Sequence, residues 1–167
     1  AVANAQDIKR RIKSVTNTAQ ITKAMKMVSA AKLRRTQGSL MTLRPYADRV
    51  EEVVSFLRQS TLHHPFLEGR EVKRVLYVVA GGDRGLCGGY NGNLARFADG
   101  VLAKCTAAYE VLSLGSRVQD HFHGSAALAG VEAPALSDTP DYTTGAGLAK
   151  ELGGLYLDGT YDEIYLI

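Results

Sequence analysis

The sequence predicts an α/β protein: a long N-terminal helix followed by a globular domain with a mainly parallel sheet. Three observations carry this. Residues 3–58 hold no proline before Pro45 and only one glycine, Gly38, among many strong helix formers. From Val72 onward, short apolar runs alternate with helical patterns, the signature of strands joined by helical crossovers. The run Val75-Leu76-Tyr77-Val78-Val79-Ala80 is continuously apolar and leads directly into a glycine-rich loop. The predicted organisation is a helical arm over 1–60 with a kink near Pro45, a linker over 61–71, and an α/β domain over 72–167 that is incomplete at its C-terminal side.

Within the arm, Ala5, Ile8, Ile12, Val15 and Ala19 fall at 3-4 spacing and draw a narrow apolar seam. Beyond Ala19 the pattern broadens through Ile21, Met25, Val28, Ala31 and Leu33, so the buried side is expected to shift or a second surface to be touched there. Roughly 56 helical residues at about 1.5 Å each reach about 84 Å, far beyond a radius of gyration near 15 Å for a chain of this length. The arm is therefore expected to project. Asp7 suits the first helical turn, and Ser14, Thr16, Asn17, Thr18 and Thr22 suit a close neighbouring helix. Arg44-Pro45 predicts an end or a kink, followed by a second helical segment carrying Val50, Val53, Val54 and Leu57.

The linker TLHHPFLEGR contains His63-His64, which read as loop residues because no third metal ligand lies near. After the first strand and the loop Gly81–Gly89 (GGDRGLCGG), Asn93 to Ala108 reads as a helix with Leu94, Phe97, Ala98, Val101, Leu102 and Cys105 inward. Glu110–Leu114 reads as a strand, Arg117–His123 as a short helix, Val131–Leu136 as a weak strand and Thr143–Leu157 as a helix. Glu163–Ile167 begins a further, buried strand. A core strand at the end of the sequence implies more polypeptide, expected to supply the partner for the Ile8/Ile12/Val15 seam.

Charge is strongly divided. Residues 1–50 hold eleven Lys or Arg against two Asp, a balance of +9, so the overall +3 leaves −6 for residues 51–167. A basic arm on an acidic body implies an acidic macromolecular partner. Two cysteines, Cys87 and Cys105, form neither a disulfide framework nor a zinc signature. No apolar run is long enough to span a bilayer.

The glycine loop invites a phosphate-binding reading, but GGDRGLCGG lacks the Gly-Lys-Ser/Thr of a P-loop and glycines at i, i+2 and i+5. Cys87 precedes a helix, where a dipole lowers a thiol pKa; with no histidine close in sequence it reads as a packed thiol. His121 and His123 read as surface residues. No catalytic residue, cofactor or metal is expected.

Two stretches resemble the gamma subunit, the central stalk, of F-type ATP synthases: DIKRRIKSVTNTAQITKAMKMVSAAKLRR from Asp7 to Arg35, and DRGLCGG from Asp83 to Gly89. The resemblance implies a Rossmann-like α/β domain and an N-terminal helix that is half of an antiparallel coiled coil, closed by a C-terminal helix of the same subunit. It implies a non-catalytic rotary shaft that couples proton-driven rotation of the c-ring to ATP synthesis or hydrolysis in the beta subunits. The implied partners are three alpha and three beta subunits, the epsilon subunit and the c-ring, with the membrane touched only through the complex. The implied location is the cytoplasmic face of a bacterial plasma membrane, or the matrix or stromal side in an organelle. Residue by residue, Met25 and Arg84 match family contacts to acidic beta-subunit loops, and Lys23, Lys26, Lys32, Arg35 and Arg96 are further rotor–stator candidates. A nucleotide-binding α/β enzyme with a helical arm is the alternative. A nucleic-acid-binding helix fits less well, because a groove-reading helix would present Asn, Arg and Gln in place of an Ile/Val stripe.

Overall fold

The computed structural model describes residues 4–125, 128–130 and 142–167. The weak strand expected over Val131–Leu136 lies outside them. The chain divides into two compact units, residues 1–62 and 63–167.

The first unit is one helix, α1 (Ala5–Arg58), unbroken for 54 residues. None of its residues is buried. The predicted end or second segment at Pro45 does not occur, for a reason visible in the spacing. If the seam is written as heptad positions a and d, Pro45 falls at f, on the side away from the seam. Its missing N–H leaves the carbonyl of Met41 without a helical donor on the side away from the seam, where water can supply one.

The second unit is a three-layer arrangement around a parallel sheet. Its elements are β1 (Arg74–Ala80), α2 (Tyr90–Leu102), β2 (Ala108–Leu114), α3 (Ser116–Phe122), α4 (Tyr142–Leu157) and β3 (Glu163–Leu166). The strand order is β2-β1-β3 and both pairings are parallel. Successive side chains of a strand point to opposite faces, and here both faces are covered. Val75, Tyr77 and Val79 pack with Ala98, Leu102, Val118 and Phe122 of α2 and α3. Leu76 and Val78 pack with Leu112, Leu114 and Tyr161, and with Leu148, Leu152 and Leu155 of α4. That two-sided burial is why β1 reads as continuously apolar.

Three expectations need correction. The helix predicted to reach Ala108 stops at Leu102, because the amides of Lys104 and Cys105 tighten onto Val101 and Leu102 before Thr106 and Ala107 lead into β2. Phe97 is 64% exposed; the sheet-facing positions of α2 are Ala95, Ala98 and Leu102, and Phe97 stands about 100° from Ala98 around the helix. β3 is half-buried at best, with Leu166 75% exposed: its Tyr165 and Leu166 lack the cover that buries the last four residues of β2, the other edge of the described sheet.

The β1 and β3 ends are joined by Asp162. Its Oδ2 accepts the amides of Lys73 and Arg74 at 2.8 and 2.9 Å, its own amide donates to the Arg74 carbonyl at 2.8 Å, and Arg70 Nε lies 3.5 Å from Oδ1. The Arg74 and Lys73 amides, with Arg70 beside them, hold its carboxyl below the usual carboxylate range. Nearby, Tyr161 donates to Glu110 Oε2 at 2.8 Å, and burial followed by that hydrogen bond pushes the phenol up to about 12.

Two glycines are required by a close crossing. Gly115 has φ +100°, and a Cβ there would lie 2.4 Å from the Gly81 carbonyl oxygen; a Cβ on Gly81 would meet Val118 Cγ2 at 2.2 Å. The loops after β1 and β2 thus pass each other at backbone contact.

Two predictions follow from these contacts. Gly115→Ala combines an unfavourable φ with a backbone collision, so it should destabilise the α/β unit by at least about 2 kcal/mol. Urea unfolding checks this as a lowered midpoint at unchanged slope. Asp162→Ala should lower the melting temperature at neutral pH. A carboxyl depressed in the folded state stabilises it above the unfolded pKa, and that contribution fades as pH falls through the folded value. The difference between wild type and variant should therefore shrink below about pH 4; a gap that stays constant down to pH 2 would reject this role.

Candidate interaction surfaces

With α1 unbroken, the seam can be followed along its full length. The 3-4 spacing that begins at Ala5, Ile8, Ile12, Val15 and Ala19 continues through Thr22, Lys26, Ser29, Leu33, Thr36, Leu40, Leu43, Ala47, Val50, Val54 and Leu57. Sequence reasoning stopped at Ala19 because the next three positions are polar. The signal was present in the strict spacing on either side of that break. Two of the threonines are less polar than their names imply. Thr22 Oγ1 donates to the carbonyls of Thr18 and Ala19, and Thr36 Oγ1 to that of Lys32, which leaves a methyl group as the outward contribution. Thr18 is likewise bonded to Ser14. These hydroxyls are satisfied within α1.

The cationic candidates on α1 do not share one face. At about 100° per residue, Met25 and Lys32 lie about 20° apart on one flank of the seam. Lys23 lies on the other flank, Arg35 on the opposite side, and Lys26 within the seam itself at an a position. In residues 21–31 the apolar side chains Ile21, Ala24, Val28 and Ala31 occupy the side opposite the seam, where the seam is at its most polar. The broadening read from the sequence is this change of side. All of these residues are exposed.

The other candidates lie on the second unit, in and after the loop Gly81–Gly89. The loop is tied down by side chains at both ends. Asp83 Oδ1 accepts the Ser116 amide at 2.8 Å and the Ser116 hydroxyl at 3.0 Å, which caps the start of α3. Asn91 holds three points at once: its Oδ1 accepts the Gly82 amide at 3.1 Å, and its Nδ2 donates to the Arg84 carbonyl at 3.4 Å and to Cys87 Sγ at 3.1 Å. The Arg117 amide donates to the Gly82 carbonyl at 3.1 Å. Sequence reasoning missed Asn91 and Ser116, since a partner separated by a strand or a helical turn leaves no local pattern.

This wiring bears on the phosphate question. A phosphate cradle needs amides that converge on open space. Here the Gly81 amide donates to Leu114, the Gly82 amide to Asn91 and the Tyr90 amide to Cys87. Cys87 is exposed, which corrects the packed-thiol reading; its sulfur accepts from Asn91 at the surface instead of filling a core. Arg96 is exposed on α2 and its guanidinium is bonded within its own helix, to the Gly92 carbonyl at 3.3 Å and to Asn93 Oδ1. His121 pairs with Asp99 at 3.1 Å, which links α3 to α2, and His63 pairs with Glu68 at 3.0 Å. Among the described residues no group of His, Cys, Asp or Glu could hold a metal ion, and no helix is long and apolar enough to cross a membrane.

Comparison with known proteins adds a family to this geometry. The family model described as ATP synthase matches residues 4–167. The ATP synthase gamma chain of Desulfitobacterium hafniense (strain DSM 10664 / DCB-2) is 42% identical over 168 residues, which cover 99% of this chain and 60% of that protein. The ATP synthase gamma chain of Heliobacterium modesticaldum (strain ATCC 51547 / Ice1) is 41% identical over 164 residues, covering 97% of this chain and 56% of that protein. The chain thus spans roughly three fifths of the length of these curated relatives. An unbroken basic helix with an exposed heptad seam, the loop DRGLCGG tied to a parallel sheet, and a match along essentially every residue place this chain in the ATP synthase gamma-chain family.

Proposed function

We propose that this chain forms part of the rotary central stalk of a proton-translocating F-type ATP synthase. In this reading α1 is one strand of an antiparallel coiled coil that turns inside a ring of three alpha and three beta subunits. Its asymmetric surface forces the catalytic beta subunits through successive conformations, while the second unit sits on the epsilon subunit and the c-ring. The subunit does no chemistry itself. It is held at an energy-coupling membrane through the complex, on the cytoplasmic face in a bacterium.

The observation that carries the reading is the seam. Fifty-four residues of helix keep an apolar stripe at heptad spacing with none of it buried, and such a stripe is stable only against a second helix. The partner proposed is a C-terminal helix of the same subunit. Lys26, at an a position, needs a carboxylate or another polar acceptor across from it, so it belongs to this internal contact more than to the stator. Met25, Lys23, Lys32 and Arg35 then face the ring, and Arg84 and Arg96 meet it from the second unit. Exposed ion pairs contribute at most about 1 kcal/mol each, and methionine adapts to changing neighbours. Both properties suit a surface whose contacts must break and re-form in every cycle.

Two experiments on the complex built from the full-length subunit test this. Ile12→Asp puts a charge into the seam at a cost of about 2 kcal/mol or more, so the yield of intact complex should collapse; a normal yield rejects the seam. Arg84→Ala should leave assembly intact but lower the ratio of protons pumped to ATP hydrolysed in reconstituted vesicles. Unchanged pumping and hydrolysis would remove Arg84 from the torque path.

A further inference from the structure

The loop Gly81–Gly89 has a feature that neither its cations nor its fold explains. Leu86 sits at φ +62°, a backbone region that L side chains enter only against steric resistance. It is also 91% exposed, the most exposed large apolar side chain among the described residues. Five of the nine residues in this loop are glycine, yet this position, where glycine would be free of strain, carries leucine. Within this chain the side chain gains almost no packing in return. Strain of this kind persists where the surroundings fix it, and it collects at sites of interaction.

The surroundings do fix it. Arg84 and Cys87, which bracket the tip, are both bonded to the one side chain of Asn91, through the Arg84 carbonyl and Cys87 Sγ. The Asp83–Ser116 cap and the Gly82–Asn91 bond hold the loop's entry. The backbone that carries Leu86 is therefore held in place, and docking the leucine costs little backbone ordering entropy. The rim of the tip is cationic: Arg84 is two residues away, and Arg117 Nη2 lies 4.0 Å from where a Cβ on Gly85 would stand.

We infer that Leu86 is a preorganised apolar anchor, seated in an apolar socket with carboxylates at its rim on the alpha–beta ring of the complex. This rests on the rotor reading above and deepens it: the cations steer and set register, and the leucine supplies the buried contact at the centre of the patch.

The test uses the full-length subunit and its alpha and beta partners. Leu86→Gly relieves the backbone and removes the anchor together, so the melting temperature of the subunit should rise by about 2 °C while its affinity for the alpha–beta ring falls about tenfold. Leu86→Ala should lose comparable affinity without the gain in melting temperature, and Leu86→Met should stay within about twofold of wild type. Wild-type affinity in Leu86→Gly overturns the anchor, and a lowered melting temperature in that variant overturns the strain. Failure of the unaltered subunit to bind alpha and beta subunits overturns the rotor reading itself; normal binding by the unaltered subunit and by Leu86→Gly alike overturns the anchor alone.

Discussion

The constraint on which the first unit depends is that a 54-residue helix leaves its apolar seam in water. Length helps such a helix survive, because nucleation is costly once while each added residue contributes a hydrogen bond. Composition helps as well: the strong helix formers Arg, Ala and Lys supply eighteen of its residues, the Thr18, Thr22 and Thr36 hydroxyls bond back to their own helix, and Arg49 pairs with Glu52 at 2.6 Å. None of this buries Ile8, Ile12, Val15, Leu40 or Val54. On the proposed reading their burial comes from another helix, and the heptad spacing then favours a left-handed coil. The polar break at Lys26 and Ser29 adds a register mark, since a lysine at an a position is tolerated opposite a polar partner and penalised opposite leucine.

In the second unit the corresponding constraint is the contact between Gly81 and Gly115. Because those backbones touch, the end of β1 and the start of α3 are fixed against each other, and Asp83 lies where it can cap Ser116. Asn91 then fastens the far side of the loop to the first turn of α2. A stretch that composition alone marks as pliant becomes one of the more tightly tied segments at the surface. Glycine here serves close approach more than freedom of motion.

Much of this was legible in the sequence. The continuous apolar run of β1 announces burial on both faces, and the absence of proline before Pro45 announces a long N-terminal helix. Other features were hidden for physical reasons. Pro45 signals a break to any local rule, yet at an f position its cost falls on the side of α1 away from the seam, and the helix continues. The seam beyond Ala19 was obscured by Thr22, Lys26 and Ser29, although the hydroxyl of Thr22 turns inward and leaves a methyl group outward. Phe97 reads as core by type and lies outside it by angle. Asn91 and Leu86 could not be found at all, since one acts through three contacts fixed in space and the other through a dihedral angle.

On the rotor reading, the chain needs two opposite kinds of interface. The seam must never open, and it is built accordingly: branched apolar side chains at regular spacing, with charge admitted at one a position. The outward surfaces must release on every turn: on α1 their candidates are exposed cations, Met25 and the small apolar stripe Ile21, Ala24, Val28 and Ala31, and at the Gly81–Gly89 loop they are exposed cations and one projecting leucine. A large apolar patch there would hold the shaft in one orientation, and cations alone would leave its position loosely defined because salt screens them. A single small anchor among cations resolves the conflict, because its contact area is too small to arrest the shaft and its tied backbone keeps the docking point sharp. Strain in Leu86 is then a cost borne equally by docked and undocked states, which leaves the affinity set by the socket and the timing of release set by the ring.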